Sequence, residues 1–447
     1  MEEQGRMTDS ASNEPFRGLP PGPTSPALLQ TWRFLQRSVD TFPGLHTKYG
    51  DTFTLRIKPG PRNIVVFSRP EDIKEIFSGD PADFHAGEGN SILRPVMGKH
   101  SVLLTDDDKH MRARKLLMPA FNGASLRGYR SLVESITKNE VDGWRDGETL
   151  VTLDRMNALT LEVILQVVFG VTNEEQLDQM RPKVRRMVNI NATMLLGWMY
   201  PKLYRVPPWR SYFKNQSAFD VLLYRQIAER RAAPDLESRE DVLSRLVRVG
   251  RGEDSDHEPL TDAELRDQLV TLLLAGHETT ASALSWTLHE LGRQPALQAD
   301  ALKATDEGDD AFLEACLKES MRLHPIIDFV ARALQRDRVV AGWTIPKGTT
   351  VAPSIVLAHS REESFADAHL YRPRRFLDDH IEPNTWIPFG GGVRRCIGAG
   401  FSLMEGTVAL REILQRYRVE ASQPARGRLR NITNVPRDKA PLLLRAR

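Results

Sequence analysis

Between about Glu71 and Gln335, apolar residues recur every three or four positions through most long segments, among them Asp107 to Met118, Leu150 to Phe169 and Ala218 to Arg231. That spacing predicts helices that bury one face. β-prone runs lie toward the two ends. Thr52 to Ile57 and Asn63 to Phe67 flank Lys58-Pro-Gly-Pro-Arg62, whose turn chemistry predicts a hairpin. Arg338 to Ile355, interrupted by Ile345-Pro-Lys-Gly-Thr349, and Pro441 to Leu444 supply further strands. The pattern therefore predicts a mainly α fold with a small β portion. One helix stands out. Thr261 and Glu264 form a T-x-x-E capping box, and the periodic pattern runs on to Leu291 before Gly292 and Pro295 are expected to stop it. At 1.5 Å per residue this is a rod on the order of 45 Å, long enough to cross the whole domain through its core.

No linker-like break divides the 447 residues. The expectation is a mobile N-terminal tail over residues 1–18, a rigid extended Leu19-Pro-Pro-Gly-Pro23, and a single domain over 19–447. A hydrophobic fraction of 40% and a charged fraction of 27% suit a globular chain with a large core. With 61 basic against 59 acidic residues the net charge is +2, which gives no electrostatic case for nucleic acid as partner. Two cysteines, Cys316 and Cys396, cannot build a secreted disulfide framework and point to a reducing compartment. The longest strongly apolar run, Leu269 to Gly276, is far short of the ~20 residues a membrane span needs. A cytoplasmic protein without a membrane anchor is expected.

Candidate chemistry begins at Phe389-Gly-Gly-Gly-Val-Arg-Arg-Cys-Ile-Gly398, a glycine-rich loop ahead of a predicted helix over Phe401 to Gln415. Cys396 thus stands near a helix N-terminus and beside Arg394 and Arg395, surroundings that favour a thiolate and hence a soft metal ligand. The glycines let the backbone turn tightly around the sulfur and leave room for a flat partner. This segment resembles the cytochrome P450 signature F-x-x-G-x-R/H-x-C-x-G at Phe389, Gly392, Arg394, Cys396 and Gly398. The resemblance implies the cytochrome P450 fold with its long central helix over haem, Cys396 as the proximal iron ligand, and Arg394 paired with a haem propionate. An axial thiolate pushes electron density toward iron and favours O–O cleavage.

Further motifs follow in the family's order. Ala275-Gly-His-Glu-Thr-Thr280 puts a glycine, an acid and two hydroxyls in the long helix, a combination unfavourable to a helix and so suggestive of another purpose. It matches the A-G-x-D/E-T-T/S oxygen-activation motif. The resemblance implies a locally opened helix, Thr279 donating a hydrogen bond to dioxygen, and Glu278 helping to deliver protons. His277 stands at a variable position and is expected to be an ordinary core or solvated histidine. Glu319 and Arg322 share one helix face. With Arg375 of Pro373-Arg-Arg-Phe376 they match the family's E-x-x-R and P-x-R-F triad, although Arg374 replaces the usual glutamate. His110 and Arg114, four apart, match H-x-x-x-R, and Arg332 a further propionate-binding position. By the same resemblance the pocket includes Leu272, Ala275, Gly276 and Ile327.

The implied function is a haem-thiolate monooxygenase carrying haem b (heme b, iron protoporphyrin IX) that uses O2 to hydroxylate or epoxidise a lipophilic small molecule. Fatty acid, terpenoid, steroid and polyketide are all open. No dinucleotide fingerprint or cysteine cluster is fused to the chain, so NAD(P)H electrons are expected indirectly, through a separate ferredoxin and ferredoxin reductase docking near Arg112, Lys115 and Arg395. A peroxide-driven hydroxylase or haem-thiolate isomerase is the enzymatic alternative, against which Glu278 and Thr279 argue. A non-catalytic haem sensor is the other, and would consume no NADPH when given redox partners and substrate.

Overall fold

The structure, a computed structural model, describes residues 16–58, 62–190, 194, 197–198, 200–249, 258–378, 380–430 and 432–447. Most of the expected tail and the centre of the first turn, residues 59–61, lie outside the described residues. Phe16 and Arg17 form a short strand parallel to Trp343 and Thr344.

The long helix is Asp262–Arg293. Thr261 caps it: its hydroxyl accepts from Glu264 N at 3.2 Å, and the Glu264 carboxylate accepts from Thr261 N at 2.8 Å. Its middle and C-terminal half, from Ala281 to Leu291, are buried throughout, so the rod runs through the core. Buried hydroxyls there, Ser282, Ser285 and Thr287, donate to carbonyls one turn earlier. Gly292 does not stop the helix, which continues to Arg293. A side chain at Gly292 would press on Ala421 N at 3.1 Å, so this glycine lets the strand Tyr417–Glu420 end close against the rod.

Around the rod pack Gly123–Asp142, Thr152–Val163 and Ala399–Arg416, which share one apolar core with it. The expected helix over Leu150 to Phe169 is Thr152–Val163 followed by a π-helical segment, Ile164–Val168. The hairpin pairs Thr52–Ile57 with Arg62–Phe67. It extends into a five-stranded sheet in the order Thr52–Ile57, Arg62–Phe67, Thr350–Pro353, Arg332–Leu334 and Phe84–His85. Ile355, expected to end a strand, begins the short helix Ile355–His359, because Ser354 caps it by accepting from Leu357 N. None of the described helices is long and apolar enough to cross a membrane.

Candidate active site

Leu272, Ala275, Gly276 and Thr279 lie at i, i+3, i+4 and i+7 on the long helix, and all four stay open while their neighbours Leu273, His277, Glu278 and Thr280 are buried. One helix face therefore borders a cleft in the interior. Gly276 also allows close packing, since a Cβ there would meet Ile164 Cδ1 of the π-helical segment at 3.2 Å. The helix is continuous through this motif and does not open. Ile327 is half-buried against the cluster of Ile73, Phe77 and Ile387, close to the loop that leads to Cys396.

The Thr279 hydroxyl donates to Ala275 O at 2.7 Å. Its proton is thus committed to the helix, and what it offers the cleft is its acceptor lone pairs, the opposite of the donor expected from the motif. Thr280 faces away and shares a 3.1 Å hydrogen bond with Ser402 on Ala399–Arg416, fastening the long helix to the helix that follows the cysteine loop. His277 is a core histidine: Nε2 bonds Asn157 O at 3.0 Å, and burial pushes its pKa down to about 4. Glu278 is nearly buried, and its carboxylate forms an ion pair with Arg430 Nε at 3.2 Å.

In the cysteine loop Gly390 and Gly392 have φ of 64° and 63°, left-handed conformations that favour glycine. Side chains at Gly391 and Gly392 would collide with Phe77, so these glycines admit the end of Pro70–Ser78 against the loop. Cys396 N donates to Phe389 O at 2.9 Å, and the Phe389 ring lies edge-on to Trp386, 5.9 Å between centroids. Protein surrounds Cys396 closely enough that burial raises its thiol pKa, yet the residue is exposed. Both hold when a side chain faces an interior cleft. The Gly398 N–H, Arg114 and Arg395 act in the opposite direction and are outweighed, so the polypeptide alone does not pre-ionise the sulfur as its position near a helix N-terminus suggests. Cys316 is fully buried with its thiol pushed up to about 12, an inert core residue.

Beside the loop lies a surplus of positive charge. Arg394 pairs with Asp106, whose carboxylate also accepts from Gly87 N and Glu88 N at 2.9 and 3.0 Å. Arg332 is buried over the Phe77 ring, with no carboxylate in salt-bridge range among the described residues; burial first, then Arg394, brings its pKa down to about 10. Arg114 donates to Arg395 O at 2.8 Å and lies within electrostatic range of both Arg394 and Cys396. His110 is buried, and burial, Arg394 and Arg114 push its pKa down to about 4, so it is neutral at pH 7. Three guanidiniums thus have Asp106 as their one salt-bridged carboxylate among the described residues, with Asp107 acting on Arg394 from further off. A planar group carrying two carboxylates and a metal with affinity for sulfur matches this donor set, and haem is such a group. Asp106 was not evident from the sequence: its place in Thr105-Asp-Asp-Asp108 reads as a helix cap, but its side chain makes no capping bond to the helix. Arg430 was missed as well, though arginine alternates at 426, 428 and 430.

The triad comes together as the motifs imply. Arg322 Nε and Nη2 donate to Glu319 at 2.8 and 2.9 Å, Arg375 Nε donates to Glu319 Oε1 at 2.9 Å, and all three are buried. Arg322 also donates to the carbonyls of His359, Ala368 and Leu370, and Ile387 N donates to His359 Nε2 at 2.8 Å. The triad is therefore joined to the segment entering the cysteine loop. Arg374 points outward to Asp300 at 3.3 Å. Lys115 and Arg395 are exposed, but Arg112 is not a free cation: it pairs with Glu264 at 2.6 Å.

Comparison with known proteins agrees with this geometry. The cytochrome P450 family model matches residues 20–436. Cytochrome P450 135A1 of Mycobacterium tuberculosis is 51% identical over 430 residues, 96% of this chain and 95% of that protein. Cytochrome P450 135B1 of Mycobacterium bovis is 37% identical over 437 residues, 96% of this chain and 92% of that protein. Neither name carries a substrate. The fold matches that of retinoic acid bound cyanobacterial CYP120A1, with a TM-score of 0.83, 24% identity, and coverage of 96% of this chain and 100% of that one. The cytochrome P450DA heme domain gives a TM-score of 0.84 at 24% identity, covering 97% of this chain and 98% of that one. By the family match across nearly its whole length, this chain belongs to the cytochrome P450 family.

Proposed function

We propose that this P450 takes electrons from NAD(P)H through a separate ferredoxin and ferredoxin reductase, and uses O2 to hydroxylate or epoxidise a lipophilic small molecule. The family as a whole carries haem-thiolate monooxygenase chemistry. The observation that supports the finer reading is the open helix face of Leu272, Ala275, Gly276 and Thr279, where a hydroxyl interrupts an otherwise apolar surface. Apolar walls with one polar group suit a lipophilic substrate whose position is fixed mainly by shape.

Cys396 would hold the haem iron, and Arg332, Arg394, Arg114 and His110 its propionates, with Phe389 beside the ring. When bound, haem supplies reductive activation of O2. The chain's own residues position and supply protons. Thr279, donating to Ala275 O, can accept a hydrogen bond from a water in the cleft and so place that water beside the reacting oxygen. Glu278 can carry a proton toward it from the surface. The acid and hydroxyl pair supports O2-dependent turnover over peroxide-driven or isomerase chemistry. For electron delivery, Lys115 and Arg395 offer exposed cations on the cysteine side to an acidic partner.

The test is a screen of lipophilic acids, terpenoids, steroids and polyketides for a shift in the haem absorption band, followed by turnover of each binder with ferredoxin, reductase and NADPH. Oxygenated product that requires both O2 and NADPH is expected. Turnover with peroxide alone, or consumption of no NADPH with any binder, would overturn the reading.

A further inference from the structure

Two buried polar atoms, Trp198 Nε1 and Gln216 Oε1, have no hydrogen-bond partner among the described residues, and the residues that carry them are only 6% and 8% exposed. Buried indole N–H and amide groups are ordinarily paired, and leaving them unpaired is costly. Their place in the fold is well defined. Gln216 lies on Trp209–Ala232, and its amide nitrogen donates to Pro95 O at 3.0 Å. One turn further on, Asp220 pairs with Arg266 at 2.8 Å, and Arg266 donates to Val96 O at 3.0 Å. Gln216 is therefore pinned beside Arg94–Met97, at the level of Arg266 on the long helix. Toward the helix N-terminus, that is about 9 Å beyond Leu272 and about 15 Å beyond Gly276. Trp198 stands next to it: its ring centroid is 6.0 Å from that of Tyr212, which is one turn before Gln216. Leu272, at the end of the open helix face, packs against the apolar cluster that includes Trp198, Met187 and Met194.

We propose that Trp198 and Gln216 close the far end of the cleft and together hold a hydroxyl group of the substrate, so that the substrate is a lipophilic alcohol oxidised at the end remote from its hydroxyl. This deepens, and rests on, the oxygenation of a lipophilic small molecule proposed above. An indole N–H and an amide oxygen are complementary, yet these two do not bond each other. A hydroxyl fits between them, accepting from Trp198 and donating to Gln216. A hydrocarbon would leave both atoms unpaired, an ether would serve Trp198 alone, and a carboxylate could not donate to Gln216. Nor is a cation free here for a carboxylate, because Arg266 is already matched by Asp220 and Asp267. The Tyr212 hydroxyl spends its proton on Met187 O at 2.9 Å and adds no second donor. Selectivity follows from burial: a site built to bond a hydroxyl rejects an analogue that leaves its polar groups unpaired. The hydroxyl end is then fixed at the level of Arg266, and the hydrocarbon end is presented along Leu272, Ala275 and Gly276 toward Thr279.

The experiment uses the haem-loaded enzyme without reductant and reads binding from the haem absorption band, for four probes of one chain length: dodecanol, dodecane, dodecyl methyl ether and dodecanoic acid. Dodecanol should bind at least about tenfold more tightly than dodecane, with the ether in between and the acid no tighter than dodecane. Trp198→Phe and Gln216→Met should each weaken dodecanol roughly tenfold while dodecane stays within about twofold, because dodecane uses only the apolar walls. Gln216→Met also loses the bond to Pro95 O, so its dodecane affinity reports whether the cleft has kept its shape, and Trp198→Phe tests the site without touching that bond. Dodecanol and dodecane binding alike in the parent would mean that solvent serves the two polar atoms, and would overturn this inference. So would the acid binding best, no probe perturbing the band, or both variants keeping the parent's preference for the alcohol. Since no O2 is activated in these measurements, they stand apart from the chemistry: dodecanol that binds as expected but gives no oxygenated product with ferredoxin, reductase, NADPH and O2 would overturn the proposed reaction and leave the hydroxyl site in place.

Discussion

Thr279 and Thr280 are adjacent in sequence and opposite in role because about 100° of helix separates them. The first borders the cleft and the second is tied to Ser402. With its proton engaged by Ala275 O, Thr279 would place a water through its lone pairs in the role proposed for it, so a residue with a hydroxyl should work and one without should not. In Thr279→Ala, NADPH should still be consumed, but product per NADPH should fall roughly tenfold with hydrogen peroxide rising to match, whereas Thr279→Ser stays within about twofold of the parent. Thr280→Ala should remain coupled; if it uncouples and Thr279→Ala does not, the two roles are reversed. At this scale the motif residues were legible because their chemistry is unusual for a helix interior. Their partners were not. Arg430 is 152 positions from Glu278 in the chain, and Asp106 is 288 from Arg394, so only the folded chain brings either pair together.

Elements hold the site through a few buried charges. Glu319 compensates both Arg322 and Arg375, and it also accepts from Arg372 N at 2.9 Å. Glu319→Gln would leave two guanidiniums buried without an anion, a loss on the order of 3–5 kcal/mol. Because Arg322 holds His359 O, and His359 accepts from Ile387 N, the damage should reach the cysteine loop. Thermal unfolding should show the lost stability, and the purified variant should carry less haem per chain; parent-like haem content with a lowered melting point would separate the triad from the loop. The capping box, the hairpin and the triad helix could be anticipated from local spacing. The π-helical turn at Ile164–Val168 and the continuity of the long helix at Gly292 could not, since each is set by what packs against it across the core. The loop glycines were understood only in part: two of them need positive φ, but the close neighbour is Phe77, from a helix more than 300 residues earlier.

Across the whole molecule, the mainly helical fold and its small sheets follow from the hydrophobic pattern, while charge placement follows from burial and long-range packing. Glu405 illustrates the second point. It is buried on Ala399–Arg416, and burial pushes its pKa up to about 8. The fold therefore accepts the neutral acid: its contribution is fully present below the ordinary value of 4.5 and is lost as pH rises toward about 8. Glu405→Gln should accordingly stabilise the protein by on the order of 4 kcal/mol at pH 8 and by only about 1 kcal/mol at pH 5, read from urea unfolding at the two pH values. An equal gain at both would show that the acid's pKa is not raised in the fold. The contrast between the two cysteines has a practical use. Cys316 is sealed in the core, whereas Cys396 faces the cleft that haem would fill. A small thiol-specific dye should therefore label one sulfur per chain in folded protein lacking haem, none in fully loaded protein and two after denaturation. The labelled fraction would then count vacant active sites directly, with the reaction accelerating toward alkaline pH because burial keeps the Cys396 thiol protonated.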